Sequence, residues 1–83
     1  MPKSTFTHDY DRFTRLLVQG RVDRGLTQSA VAQRLGKPQS FVSKYERGER
    51  RLDMVEFLSV TDALSLDPCA LIQKLRRSGR RSA

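Results

Sequence analysis

The run from Leu26 to Gly48, LTQSAVAQRLGKPQSFVSKYERG, constrains the chain more than any other stretch. Its pattern predicts two short helices, Gln28 to Leu35 and about Gln39 to Arg47, joined by a tight turn at Gly36. Thr27 is placed to cap the first, because a hydroxyl can accept from the orphan N–H groups of a helix start. Pro38 falls at the opening of the second, where its missing N–H costs little. Two helices that cross through a short turn need a small side chain where their axes approach. They also need a residue tolerant of positive φ in the turn and an apolar residue on the inner face of the second helix. Ala32, Gly36 and Val42 meet these demands at workable spacing.

The remaining sequence predicts three further helices, and no stretch alternates with period two for long, so an all-α chain is expected. Tyr10, Phe13, Leu17 and Arg21 repeat at three- and four-residue spacing, with Leu16 beside them, and predict a first helix from about Asp9 to Arg24. Gly20 inside it costs about 1 kcal/mol relative to alanine, which close packing against another helix would explain. Gly25 suits a left-handed helix end. Asp53 and Glu56 form a capping-box pair at the start of a fourth helix, whose apolar stripe is Phe57, Val60, Ala63 and Leu64. Asp67-Pro68 opens a fifth helix carrying Leu71, Ile72 and Leu75. The expected organisation is a flexible lead at 1–8, one folded domain at 9–77 and a disordered basic tail at 78–83.

Composition narrows the function. Sixteen Lys and Arg against nine Asp and Glu leave a net charge of +7, and the pI is near 10.5. A basicity of this size is the footprint of a nucleic-acid partner, although a solvated basic surface or attraction to anionic lipid is compatible with it. Residues 37–51 carry Lys37, Lys44, Arg47, Arg50 and Arg51, residues 52–67 carry four acids and no base, and the tail is basic again. That order suggests one face toward a polyanion and one away from it. One cysteine, Cys69, and one histidine, His8, exclude an intrachain disulfide and the usual zinc ligand sets. Neither has partners at catalytic spacing; Cys69 reads as a packing residue and His8 as solvated. No enzyme site, metal or cofactor is therefore expected. No apolar run approaches the roughly 20 residues of a membrane span, and MPKSTFTHDYDR has no signal-peptide core, so a cytoplasmic location is expected.

The run resembles the helix-turn-helix of the phage repressor and Cro-like superfamily, the XRE family. The matching residues are Gly25-Leu26-Thr27-Gln28, Val31-Ala32, Leu35-Gly36 and SFVSKYERG at Ser40–Gly48, and the likeness continues into EFLSVTDALSLDP, covering roughly 12–75. The resemblance implies a five-helix, lambda-repressor-like fold and a sequence-specific double-stranded DNA-binding transcriptional regulator of repressor type. It implies that the third helix enters the major groove, with Gln39, Ser40, Ser43 and Lys44 at base edges. Gln28, Lys37, Arg47, Arg50 and Arg51 would meet phosphates. Arg21, on an apolar stripe, would form a structural ion pair with Glu46 at the end of the third helix. Phe41 could turn outward to a thymine methyl or inward as core, and burial preference favours the core.

A near-palindromic operator and a homodimer are implied partners, with no membrane and no small-molecule ligand. Leu71, Ile72 and Leu75 are candidates either for the dimer surface or for closing the monomer core. The alternative reading is a protein-interaction or antitoxin-like module on the same fold. A third is a non-specific binder of nucleic acid or membrane surfaces acting through the basic tail.

Overall fold

The computed structural model describes residues 4–79 of the chain. Five helices follow in order: α1 (Ser4–Asp23), α2 (Gln28–Leu35), α3 (Gln39–Glu46), α4 (Met54–Ala63) and α5 (Pro68–Gly79). Among the described residues there is no strand, as the periodicity predicts. Two boundaries differ from expectation. Helix α1 begins at Ser4, so most of the expected lead is helical. No Gly or Pro interrupts residues 4–19, and once a turn has nucleated each further residue adds a hydrogen bond. Helix α5 runs through Gly79, and the rest of the expected tail, 80–83, lies outside the described residues.

The core is a single apolar cluster. Leu17 of α1, Val31 of α2, Val42 and Tyr45 of α3, Val60 of α4 and Leu64 just after it are fully or almost fully buried, and Phe57 and Leu71 join them. Each such side chain contributes about 1.5–3 kcal/mol through burial. Phe13 bridges two elements, its ring centroid lying 5.3 Å from Tyr10 and 5.5 Å from Phe57. Helix α2 packs on α3 and α4, while α1 lies against α3 and α5. Leu71 therefore closes the monomer core, and Ile72 beside it is exposed. Cys69 is also exposed, contrary to the packing role expected of it, because the first turn of α5 faces outward there.

The first four helices end on one hydrogen-bond pattern. In α2 the Gly36 N–H donates to Gln33 O at 3.2 Å and the Lys37 N–H to Ala32 O at 3.0 Å. This reciprocal pair requires left-handed backbone between the two donors, and Gly36 supplies it at φ +68°. The same pair closes α1 at Gly25-Leu26 and α3 at Gly48-Glu49. It closes α4 as well, through Ser65 and Leu66, with Ser65 at φ +58°. The carbonyls beyond are satisfied by arginines: Arg34 Nη1 donates to Ala63 O at 2.8 Å and Arg24 Nη2 to Ser65 O at 2.6 Å. Both cations lie at the negative end of the α4 dipole.

Helix starts follow the capping residues. The Thr27 hydroxyl accepts from Ala30 N–H at 3.0 Å. Asp53 and Glu56 exchange reciprocal bonds at 2.8 and 3.0 Å, a complete capping box. Asp67 Oδ1 accepts from Cys69 N–H at 3.0 Å. Gly20 packs against a loop residue rather than a helix: a Cβ there would stand 2.5 Å from Leu66 Cδ1.

Ser65 holds a left-handed backbone that costs an L-residue roughly 1 kcal/mol. Ser65→Gly should therefore stabilise the domain by about 0.5–1 kcal/mol, raising Tm by a few degrees. Gly36→Ala should lower stability by at least a comparable amount. Thermal melts of the two variants check this; equal Tm values for both would refute it.

Candidate nucleic-acid interface

Helix α3 is eight residues long and divides cleanly into two faces. Val42 and Tyr45 point into the core, at 0% and 1% exposure. Gln39, Ser40 and Lys44 are exposed on the opposite side and Ser43 is half-buried between them. This division follows from the 3.6-residue period, which turns positions 42 and 45 together and positions 40 and 44 away from them. Burial also pushes the Tyr45 phenol well above its ordinary pKa, so it is a neutral core group at any physiological pH.

A polar chain anchors the helix. Arg21 of α1 grips Glu46 of α3 with both arms, Nε to Oε2 at 2.7 Å and Nη2 to Oε1 at 3.1 Å. Its third nitrogen, Nη1, donates to the Leu26 carbonyl at 2.9 Å. The two side chains are only 16% and 6% exposed. The hydrogen bonds to Glu46 raise the Arg21 pKa further, against the effect of desolvation. Gln28 Nε2 donates to the same Glu46 Oε1 at 2.8 Å, and Gln28 Oε1 accepts from Gln39 Nε2 at 2.7 Å. Gln28, expected at a phosphate, thus bridges the buried ion pair to the exposed start of α3.

The flanking cations fall into two groups. Lys37 and Arg51 are exposed, Lys37 with Nζ 5.4 Å from the Phe41 ring and Arg51 with its guanidinium 4.3 Å over Tyr10. Arg47 and Arg50 are held by carboxylates. Arg47 chelates Glu49 at 3.0 and 3.1 Å and donates to Ser43 Oγ at 2.6 Å. Arg50 chelates Glu56 at 2.6 and 3.2 Å and lies 5.0 Å from the Phe41 ring. A phosphate would compete with a glutamate for either. Glu56, which composition alone would turn away from a polyanion, instead reaches back to the basic loop. Each pairing holds its glutamate below the ordinary carboxylate range.

Phe41 occupies an intermediate place. It is half-buried, with an edge-on contact to Tyr45 at 5.6 Å between centroids. Tyr10, absent from the expected site, pins the other side of the loop: its hydroxyl accepts from Leu52 N–H at 3.1 Å beneath the Arg51 guanidinium. Its place on the α1 stripe was visible in sequence, but its partners 41 and 42 residues away were not. Among the described residues, no His, Cys, Asp and Glu cluster could hold a metal. No described helix is long and apolar enough to cross a membrane.

A two-helix unit with an outward polar face and a basic rim is the architecture of helix-turn-helix proteins, and the comparisons agree. The helix-turn-helix family model matches residues 17–71. An XRE-family like protein from Pseudomonas syringae pv. tomato str. DC3000 is 42% identical, with TM-score 0.89 over 94% of this chain and 95% of that one. The restriction-modification controller protein C.AhdI from Aeromonas hydrophila is 33% identical, with TM-score 0.71 over 77% and 97%. The clp gene regulator ClgR from C. glutamicum, 20% identical with TM-score 0.77 over 89% and 96%, shares the fold. No curated protein matches at the level of sequence. The chain belongs to the XRE family of helix-turn-helix proteins, a class of DNA-binding transcriptional regulators.

Removing one partner of a buried pair strands the other's charge, so Arg21→Ala should lower unfolding free energy by roughly 3–5 kcal/mol. Urea denaturation checks this, and a wild-type midpoint would refute it. The Arg50–Glu56 pair predicts acid sensitivity. Glu56 titrates below its ordinary 4.5 in the folded state, so the folded chain binds fewer protons there than the unfolded chain. Its stabilisation is complete above pH 4.5 and is lost as pH falls through the folded value. Glu56→Gln should melt below wild type at neutral pH, with the gap narrowing as pH falls below 4.5; a pH-independent gap would be contrary.

Proposed function

We propose that the chain is a sequence-specific double-stranded DNA-binding repressor that lays α3 in the major groove. The observation that carries this reading is the division of α3. Its inner face is locked into the core by Val42 and Tyr45, while Gln39, Ser40 and Lys44 stand exposed on the outer face with Ser43 half-buried beside them. Those four side chains are the base readers. Glutamine suits adenine, lysine suits guanine and serine is permissive. Lys37 and Arg51 meet phosphates at the two ends of the helix. Arg47 and Arg50 join them by exchanging Glu49 and Glu56 for the DNA backbone. Repression needs no more than occupancy of an operator.

The protein acts as a homodimer on a near-palindromic site, with half-sites about 34–36 Å apart. Exposed apolar side chains support a protein contact: Met54, Val55 and Leu58 on α4 and Ile72 on α5. The same surface is what favours the second reading, a protein-interaction module. The resemblance to a restriction-modification controller protein and a gene regulator supports regulation.

Selection from randomised duplex DNA tests the proposal. One enriched, dyad-related motif is expected; no enrichment, with binding that collapses as salt rises, would overturn it. Lys44→Ala should relax preference at one base pair, by about 1–3 kcal/mol, while Arg51→Ala should weaken all sequences evenly and reduce the salt slope by about one. An unchanged preference in Lys44→Ala would remove Lys44 from the reading face.

A further inference from the structure

We infer that Tyr10, on the first helix, is a DNA-contacting residue whose phenol O–H donates to the same backbone phosphate that Arg51 meets. This rests on the reading of the chain as a binder of double-stranded DNA with Arg51 at a phosphate.

The phenol is held in place by two neighbours. Its oxygen accepts from Leu52 N–H at 3.1 Å, and its ring packs on Phe13 with 5.3 Å between centroids. A phenol is both an acceptor and a donor. The Leu52 amide uses the acceptor side, so the hydroxyl proton is left over. Among the described residues no group accepts it. Tyr10 is only half-buried, so the proton can reach a partner outside the chain.

Arg51 indicates what that partner is. Its guanidinium lies 4.3 Å over the Tyr10 ring. A guanidinium carries five N–H donors, and contact with a ring face does not keep them from an oxygen. A cation beside an O–H donor complements an anion that only accepts. A DNA phosphate exposes two non-bridging oxygens, one for each donor, and a hydrogen bond to a charged oxygen is stronger than a neutral one. The pair stands on α1 and on the loop after α3, away from the exposed face of α3 that would meet base edges. Its contribution has a signature of its own. Salt dependence arises when a cation displaces counterions from phosphates. A neutral phenol displaces none, so it adds affinity without salt dependence and without sequence preference.

The test compares wild type, Tyr10→Phe, Arg51→Ala and the double variant on duplex DNA across a range of salt, each protein checked for cooperative melting. Tyr10→Phe keeps the ring beneath Arg51 and removes only the oxygen. It should weaken binding about tenfold on every sequence and leave the salt slope unchanged, whereas Arg51→Ala should lower the slope by about one. Replacing phosphates one at a time by neutral methylphosphonates locates the contact. At one position the replacement should weaken wild type by at least about threefold more than it weakens Tyr10→Phe. Wild-type affinity in Tyr10→Phe would overturn the inference. So would a loss that adds independently to neutralisation at every phosphate, because the hydroxyl would then act only through the Leu52 amide. A slope lowered as far as in Arg51→Ala would reduce Tyr10 to a support for Arg51 and equally overturn it. In these three cases the DNA-binding reading stands. If wild type binds no duplex, that reading fails and this inference with it.

Discussion

The guanidinium of Arg21 lies where α1, the α1–α2 loop and α3 converge, and its contacts reach each of them. Two nitrogens hold Glu46 and the third holds the Leu26 carbonyl. A charge this poorly solvated is tolerable only when it is paired and hydrogen-bonded. That requirement fixes three elements relative to one another more tightly than apolar contact does, because hydrogen bonds are directional and hydrophobic burial is not. Helix α3 needs such a constraint. It is eight residues long, well below the length at which an isolated helix persists in water. It also exposes a whole face, so Val42 and Tyr45, with half-buried Phe41 beside them, root it in the core. The ion pair stops it from turning about that root.

The basic loop after α3 is organised by a different principle. Its cations are not simply displayed to solvent. Arg50 lies against Phe41 and chelates Glu56, Arg51 lies on Tyr10, and the Tyr10 hydroxyl holds the Leu52 amide. Glu56 serves at once as the capping-box partner of Asp53 and the counter-ion of Arg50. The start of α4 and the rim of the interface are therefore one structure, and charge at the rim is placed by folding rather than by random rotation of long side chains. Pre-placed charge loses less conformational entropy on meeting a phosphate.

Much of this was legible in the sequence where the signal is local. The turn at Gly36, the capping box at Asp53 and Glu56, and the proline-opened α5 each occupy a few adjacent residues whose chemistry admits few alternatives. Arg21 was conspicuous because a charge on an apolar stripe demands a partner. What escaped depends on contacts that no period encodes. Phe6, four residues before Tyr10, continues the apolar spacing of α1, but the Ser, Thr and His around it are poor helix formers and masked the start of the helix. Arg47 and Arg50 read as phosphate ligands by position alone, yet their carboxylate partners are two and six residues further on. Cys69 looked like a packing residue from its type, but its place on the first turn of α5 decides its exposure. The two partners of Gln28 were hidden because they lie 11 and 18 residues away.

The repeated ending of the first four helices bears on how the chain reaches this state. Each closure joins residues no more than five positions apart, as from Ala32 to Lys37 or Thr61 to Leu66. Helix boundaries are thus set by short-range events, which in small helical proteins occur in about a microsecond or less. What takes longer is the search that brings Arg21 to Glu46, 25 residues apart, after the segments between them have already stopped where they should. A chain built this way has low contact order and belongs with the fast-folding helical domains. The ends of α2 and α3 are set by neighbours in sequence, whereas the α1–α3 ion pair joins residues 25 positions apart.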